Sequence, residues 1–434
     1  MRITVIGTGY VGLVSGACLA ELGHHVTCID KDEAKITALK NGKMPIIEAG
    51  LPEMVRQNSA AGRLDFSADL APSTAESDIV ILAVGTPTQK DGSGADLSYV
   101  YAAAEEVAGH LASPYTVVVT KSTVPLGTNH KVAQILAAHA PKDTKWDVAS
   151  NPEFLREGSA VQDFMHPDRI VVGADTAKAR QKLEEMYAPL TRKNMYLMLT
   201  DVKSAELIKY AANAFLAVKI GYINEMADLC ESLGVSVDNI AKGIGLDKRI
   251  NPHFLKAGPG FGGSCFPKDT KALLKTAEDA NVPLKIVQSS LNANENRKKT
   301  MARKVLNACD GEVRGKKIAI LGLTFKANTD DMRASPSLGI IAELTRQGAE
   351  VCAYDPEGMD NARKLLPDIN YAASADEALD GANCAVIITE WDEFKTLDLP
   401  DMGKKMQTPV LVDLRNITDP DAARKAGLTY HRVG

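Results

Sequence analysis

The stretch that most constrains the fold lies at the start of the chain. Arg2-Ile-Thr-Val-Ile-Gly reads as a buried parallel strand, and Gly7-Thr-Gly9-Tyr-Val11-Gly12 follows it directly. Leu13 to Leu22 then carries helical periodicity, and His25-Val-Thr-Cys-Ile-Asp30 reads as a second strand that ends in an acid. A strand, a G-x-G-x-x-G turn, a helix and an acid-terminated strand make up the dinucleotide fingerprint in its full context. Gly7 serves the tight turn, Gly9 admits a pyrophosphate, and Gly12 lets helix and strand pack closely. The pyrophosphate is expected on the helix N-terminus, with Val11 inside the loop that cradles it. Asp30 is expected to accept from the ribose hydroxyls and to repel a 2′-phosphate, which favours NAD over NADP. Lys35 is close enough in sequence to reach the same ribose.

Two further βα units continue the pattern. Asp78-Ile-Val-Ile-Leu-Ala-Val ends in Gly85-Thr86-Pro-Thr88, and Tyr115-Thr-Val-Val-Val-Thr ends in Lys121-Ser-Thr123-Val-Pro. Ligands of open α/β sheets bind beyond the carboxyl ends of strands, so Thr86 and Thr123 are expected beside the cofactor. Gln89 to Asp96 reads as a polar, glycine-rich surface excursion. The first twenty residues superficially resemble a signal peptide. Glycines at 7, 9, 12 and 16 interrupt the apolar run, and the fingerprint explains it better.

With 434 residues, several domains are expected. A formal net charge of −5 argues against general nucleic-acid binding, which needs a basic face. No run approaches the length of a membrane span, so no membrane association is expected. Cysteine usage also narrows the class. Cys18, Cys28, Cys230, Cys352 and Cys384 lie inside apolar segments without C-x-x-C pairs, the pattern of reduced cytoplasmic thiols and not of a zinc site.

The middle of the chain carries polar residues in unusual places. Asn151-Pro152 suits a helix N-cap and N1, and on that turn Glu153 and Glu157 would share a face and could divide acid and base roles. Asp201 to Gly234 reads as one long helix capped by Asp201, apolar over so much of its circumference that burial, or packing on another subunit, is expected. Lys209 and Asn213, four apart on one face, break that pattern and need partners or a role. The stretch Gly258-Pro-Gly-Phe-Gly262-Gly263-Ser-Cys265-Phe-Pro267-Lys268-Asp269 then places a thiol at a helix entrance, with Pro267 at the first helical position. Helix-terminal N–H groups and a nearby lysine favour a thiolate there.

Lys316 to Gly322, a helix at Ser337 to Gln347, and strands ending at Asp355, Thr389 and Asp413 repeat the βα pattern. Here Gly322-Leu-Thr-Phe325-Lys326 puts bulk and a cation where the first domain has glycines. A dinucleotide would not fit in the same way, whereas a single nucleotide with a phosphate on Lys326 would. Asp330, Asp331 and Arg333 are expected at the mouth, with Arg415 beyond a strand end. The fold expected is α/β, with two Rossmann-like doubly wound domains joined by a long central helix. The segments are 1–200, 201–310 and 311–434.

These motifs together resemble the nucleotide-sugar dehydrogenases that oxidise a primary alcohol to a carboxylate, over nearly the full length. The stretch Asp163 to Gly173 and Phe254 to Gly258 resemble the UDP-glucose branch more than the GDP-mannose branch. The resemblance implies four-electron oxidation of UDP-glucose to UDP-glucuronate by NAD, through a thiohemiacetal and a thioester on Cys265. It implies Lys209, Asn213 and Asp269 around the reacting carbon. It makes Glu153 the acid/base at thioester hydrolysis and Thr123 the residue that holds the water. Glu157, Lys268 and Arg333 match cofactor contacts. Glu153, Phe154, Leu155, Arg156, Lys209, Asn213, Phe254, Leu255, Lys256, Ala257, Gly258, Gly262 and Lys326 match the substrate site. Arg249 matches an arginine that can reach a neighbouring subunit, and a homodimer is expected. The alternatives are a sibling dehydrogenase acting on GDP-mannose or a UDP-N-acetylhexosamine, and a non-catalytic NAD-binding redox sensor.

Overall fold

The structure is a computed structural model that describes residues 1–89 and 94–434. The chain divides into two compact units. One comprises Met1–Ala212 and Lys271–Ala280, and the other Asn213–Thr270 and Asn281–Gly434. Of the expected polar excursion Gln89 to Asp96, residues 90–93 lie outside the described residues.

The first unit is built on eight strands. They are β1 (Arg2–Ile6), β2 (His25–Ile29), β3 (Leu64–Ser67), β4 (Ile79–Leu82), β5 (Thr116–Thr120), β6 (Trp146–Ser150), β7 (Ile170–Ala174) and β8 (Leu197–Thr200). Their order is β3-β2-β1-β4-β5-β6-β7-β8, parallel throughout except for the antiparallel pair β6–β7. Every residue of β4 and β5 is buried, as expected of strands covered on both faces, and this is why they read as continuous apolar runs. The strand order reverses direction between β1 and β4, so a switch point lies beyond their carboxyl ends.

The helix Tyr10–Glu21 follows β1 and is buried from Gly12 to Ala20. The strand and helix expected from the fingerprint are thus an interior strand and a core helix. A Cβ on Gly12 would lie 1.9 Å from the Gly7 carbonyl oxygen, so only hydrogen lets the helix start this close to the strand end. Gly9 has nothing within 4 Å of its Cβ position. Its demand for a small residue does not come from the protein itself.

The second unit carries β9 (Lys317–Leu321), β10 (Glu350–Tyr354), β11 (Asn370–Tyr371), β12 (Cys384–Ile387), β13 (Val410–Asp413) and β14 (Thr429–Arg432). The order β11-β10-β9-β12-β13-β14 is wholly parallel and repeats the winding of the first six strands. The α/β class with two doubly wound sheets is as expected.

One helix, Val202–Leu233, contributes to both units. Asp201 caps it by accepting from the Ser204 N–H at 2.8 Å. It is not buried all round, as its composition suggested. Phe215 is 65% exposed, and Tyr222, Leu229 and Leu233 are exposed with it. Seven-residue spacing puts Phe215, Tyr222 and Leu229 on one stripe. The apolar excess therefore reflects one face left uncovered within this chain. Among the described residues, no helix is long and apolar enough to cross a membrane.

Two local readings are corrected. No helix starts at Asn151; residues 151–156 are irregular, and the next helix is Ala160–Met165. Asn151 does not cap because its side chain is used elsewhere, donating to the Val171 carbonyl at 2.8 Å and accepting from Lys121 at 3.0 Å. Glu153 and Glu157 are thus not one turn apart on a helix. The helix after the cysteine is Phe266–Asp279, so Pro267 is its second residue, not its first.

The two glycines make different predictions for thermal unfolding. Gly12→Ala must displace backbone and should cost about 1–3 kcal/mol. Gly9→Ala meets no neighbouring atom and should cost less, about 0.5–1 kcal/mol, the difference between glycine and alanine at an N-cap. Equal melting temperatures for the two variants would contradict the packing described.

Candidate active site

The fingerprint loop is arranged around Asp30. Its Oδ2 accepts from the Thr8 N–H at 3.0 Å, the Thr8 hydroxyl at 2.6 Å and the Lys35 ammonium at 2.8 Å. Burial alone would raise the Asp30 pKa. The hydrogen bonds from Lys35 and Thr8 outweigh it and hold the carboxyl at about 2. Asp30 is therefore ionised at neutral pH. Lys35 lies on the acid it was expected to share a ligand with. The helix that starts after Gly9 has no side-chain cap, which leaves its N-terminus to attract an anion. An open glycine, an uncapped helix start and an ionised acid at the end of β2 fit a dinucleotide. Thr86 and Thr123 follow β4 and β5, on the carboxyl edge of the same sheet, and both are partly exposed.

A second cluster in this unit consists of buried charges. Lys209 is 4% exposed and its ammonium lies 3.2 Å from Oε1 of Glu153, itself 6% exposed. The other Glu153 oxygen accepts from the Leu155 N–H at 2.6 Å, which bends the chain after Pro152 away from a helix. The Phe154 ring lies under the Lys209 ammonium and, at 3.7 Å, under the Arg169 guanidinium. Arg156 turns outward to pair with Asp163 at 2.6 Å. Leu155 and Glu157 are partly buried in the same segment.

Sequence reasoning missed two members of this neighbourhood. Glu206, one turn before Lys209, is 2% exposed and accepts from the Gly127 N–H, the Asn129 N–H and the Asn129 amide at 2.7–2.8 Å. It anchors the far end of the loop that carries Thr123. Lys121 is 3% exposed and donates to Asn151 at 3.0 Å, with the Tyr187 hydroxyl at 3.5 Å. An acid inside an apolar helix and a lysine ending an apolar strand were the available signals.

The second unit holds the cysteine. Cys265 is partly exposed, whereas the other six cysteines are buried; all seven are thiols. In the first turn of the following helix Asp269 is fully buried. Its two oxygens accept from the Asn213 amide at 2.6 Å and the Lys268 ammonium at 2.7 Å. Asn213 and Lys268 thus share the Asp269 carboxylate, one helical turn behind Cys265.

The loop before the cysteine is held by its backbone. Asn224 accepts from the Gly258 N–H at 2.9 Å, and Arg297 donates to the Gly258 carbonyl at 2.6 Å. Asn294 accepts from the Phe261 N–H at 2.8 Å and donates to the Phe261 carbonyl at 3.0 Å. These three residues were not anticipated, although Asn224 lies eleven positions beyond Asn213, three helical turns along the same face. Gly262 and Gly263 are needed for close approach to the protein. A Cβ on Gly262 would meet the Ala334 carbonyl oxygen at 2.5 Å, and one on Gly263 the Phe325 ring at 2.8 Å. Gly263 also has a φ of +85°.

Further expected substrate residues lie in the same unit. Arg415 donates to the Phe325 carbonyl at 3.0 Å and the Ile388 carbonyl at 2.7 Å, so it sits beyond the carboxyl ends of β9 and β12. Its guanidinium lies 3.4 Å from the Cβ position of Gly258. Lys326 is over the Phe325 ring, and Arg333 forms a bidentate pair with Asp331 at 2.8 Å. Leu255 and Ala257 are buried, Lys256 is exposed, and Phe254 packs on Phe266. Arg249 is not brought to the other predicted residues; it is surface-exposed and paired with Asp247.

The acid at the end of β10 is used differently from Asp30. Asp355 is fully buried, and its Oδ2 accepts from Leu323, Thr324 and the Trp391 indole at 2.7–3.2 Å. Its Oδ1 accepts from the Glu357 and Gly358 N–H groups at 3.0 and 2.7 Å. No oxygen of it is left for a ribose. The second sheet has the winding of a dinucleotide domain without its acceptor.

Residues 1–191 match the NAD binding domain of the UDP-glucose/GDP-mannose dehydrogenase family, residues 203–296 its central domain and residues 319–420 its UDP binding domain. The chain belongs to this family. It is 54% identical to a UDP-glucose 6-dehydrogenase of Rhizobium meliloti (strain 1021), over all of this chain and 99% of the relative. It is 46% identical to the UDP-glucose 6-dehydrogenase YwqF of Bacillus subtilis (strain 168), over all of this chain and 98% of the relative. Among solved structures it resembles a UDP-glucose dehydrogenase from Pyrobaculum islandicum. The TM-score is 0.91 and the identity 39%, covering 99% of this chain and 97% of that one. The first sheet thus belongs to an NAD-binding domain and the second to a UDP-binding one, as Asp30 and Asp355 divide them.

Burial lowers the Lys121 ammonium to about 8, with repulsion from Lys209 adding to burial and attraction to Glu153 opposing it. An unfolded lysine titrates near about 10.4. Between those values the unfolded chain binds more protons, so this residue makes stability rise with pH from about 8 to about 10. The melting temperature of Lys121→Met, relative to the wild type, should therefore fall as pH rises from about 7 to about 10. A difference that stays constant over this range would show that the fold does not lower the Lys121 pKa.

Proposed function

We infer that the chain is an NAD-dependent UDP-glucose 6-dehydrogenase that oxidises UDP-glucose to UDP-glucuronate. The observation that carries this is 54% identity, along the whole of this chain, to the Rhizobium meliloti enzyme of that name.

Bound NAD supplies the hydride acceptor, one molecule for each two-electron step. Gly7, Gly9, Val11 and Gly12 are proposed to hold its pyrophosphate, and Asp30 and Lys35 its ribose. Thr86, Thr123, Glu157, Lys268 and Arg333 are proposed as further contacts. An ionised Asp30 would repel the phosphate of NADP. For the substrate, Lys326 and Arg415 are proposed to face the nucleotide, and Phe254 to Gly258 the sugar side.

In the first step Lys209, or a water held by Asp269, removes the proton of the C6 hydroxyl as hydride leaves that carbon. The Cys265 thiolate then adds to the aldehyde carbon, forming a thiohemiacetal. This restores a tetrahedral carbon bearing hydrogen and oxygen, which an aldehyde lacks, so a second hydride can leave and a thioester forms. Asn213 and Lys209 donate to the oxygen that carries charge at each tetrahedral stage. Water held by Thr123 and deprotonated with the help of Glu153 attacks the thioester, releasing carboxylate and the Cys265 thiolate. Lys209 beside Glu153 supports this reading, because it keeps an acid and a base in contact at a buried point. Functionally, we propose segments 1–200, 201–310 and 311–434 for cofactor, catalysis with dimerisation, and UDP-sugar. The reduced-thiol pattern supports a cytoplasmic setting.

A homodimer is proposed on the exposed stripe Phe215, Tyr222 and Leu229, since a stripe this apolar is a common mark of protein contact. Light scattering at micromolar concentration should give twice the chain mass; a monomer would count against it.

The covalent route makes a sharper prediction. With NAD and UDP-glucose, Cys265→Ser should stall as an acyl-enzyme heavier by one uronosyl nucleotide, because an ester hydrolyses more slowly than a thioester. Cys265→Ala should stop near the aldehyde level. Intact-protein mass and NADH absorbance, run over a panel of nucleotide sugars, read both out. Wild-type production of UDP-glucuronate by Cys265→Ala would remove the thiol from the mechanism. Equal kcat/KM with NADP in the wild type would remove the Asp30 assignment.

A further inference from the structure

A buried lysine with no carboxylate bound to it is costly, and folded proteins rarely keep one without use. Lys121 is such a residue. Among the described residues its polar partners are neutral: the Asn151 side-chain oxygen at 3.0 Å and the Tyr187 hydroxyl at 3.5 Å. The Phe164 ring is 5.6 Å away. Tyr187 donates to the same Asn151 oxygen at 2.5 Å, and the Asn151 amide donates to the Val171 carbonyl of β7. The Asn151 side chain is therefore fixed on both ends. Two residues further on, Glu153 meets Lys209.

We propose that Lys121 is a positioning residue for the reaction. Through Asn151 it sets the place of Glu153 against Lys209. This rests on the roles proposed above for Glu153 and Lys209. The charged and titratable groups around Lys121 come from four elements. They are Glu153 after β6, Lys209 on the long helix, the Cys18 thiol on the helix Tyr10–Glu21 and the Tyr187 phenol on the helix Ala177–Thr191. Burial pushes the Cys18 thiol up to about 12 and the Tyr187 phenol up as well, so both stay neutral at neutral pH. The cation balance around Glu153 is thus held by two lysines, of which only Lys209 touches it. A purely structural lysine would affect folding and leave the fate of the thioester unchanged.

The test follows that fate. Wild type, Lys121→Met, Lys121→Arg, Tyr187→Phe and Glu153→Gln are incubated as full chains with NAD and UDP-glucose. Covalent acyl-enzyme is quantified by intact mass alongside NADH release. Lys121→Met should fold, slow thioester breakdown about tenfold or more, and accumulate acyl-enzyme, as expected of a slightly misplaced catalytic group. KM for UDP-glucose should change little. Lys121→Arg should recover part of the rate. If Lys121→Met fails to fold, Tyr187→Phe tests the same anchor: a loosened Asn151 should raise the acyl-enzyme fraction, and an unchanged fraction would overturn the proposal. Wild-type thioester breakdown in folded Lys121→Met would also overturn it. If Glu153→Gln fails to accumulate acyl-enzyme, the role given to Glu153 has failed. If it does accumulate while Lys121→Met does not, only the role given to Lys121 has failed.

Discussion

Charges taken out of water must be answered by the fold, and the long helix carries this demand on its packed face. Lys209 and Asn213 project from a packed face. An unanswered ammonium there would cost several kcal/mol or lose its proton. Glu153 answers Lys209, and Asp269 answers Asn213. Each answer dictates local structure. Glu153 reaches Lys209 because the chain after β6 is irregular where its sequence suggests a helix. Asp269 reaches Asn213 from the first turn of the helix that opens behind Cys265. The polar residues proposed for catalysis are thus also those that tie the long helix to the segments around it.

The same economy governs the backbone. A glycine-rich loop has few side chains with which to hold itself, and buried peptide groups must be bonded. Gly258 and Phe261 have their N–H and carbonyl groups bonded to Asn224, Asn294 and Arg297. The loop can therefore be glycine-rich for close approach to Ala334 and Phe325 while remaining ordered ahead of the cysteine. In the first unit the loop that carries Thr123 is fixed in a comparable way, with Lys121 at one end and Glu206 at the other. Both loops are held by buried polar side chains from neighbouring elements and not by regular secondary structure.

The two sheets show how one winding serves two ligand classes. Both place an acid at the end of the second strand, and both use it to bond the turn after the first. Asp30 keeps a partly exposed position beside Lys35, whereas Asp355 is enclosed by Trp391 and saturated with N–H donors. Topology sets where a ligand can lie, and the hydrogen bonds left over at the strand end decide which one.

Local pattern was enough to identify what depends on near neighbours in the chain. The strand, glycine turn, helix and Asp30 could be read from residues 2–30 because each needs only its own backbone geometry and periodicity. The same holds for the βα repeats, the long helix with its Asp201 cap, and a thiol at a helix entrance. Contacts between distant segments were not legible in this way. Asn151 looked like a cap, yet the structure spends its side chain on Lys121 and Val171, and so the expected Glu153–Glu157 helix does not form. Lys121, Glu206, Asn224, Asn294 and Arg297 read as ordinary polar residues until the fold brought their partners to them over 30 to 79 positions of chain. The exposed stripe on the long helix was likewise undecidable from composition. An apolar residue buried in one neighbourhood and bare in another has the same periodicity, and only tertiary packing says which neighbour arrives.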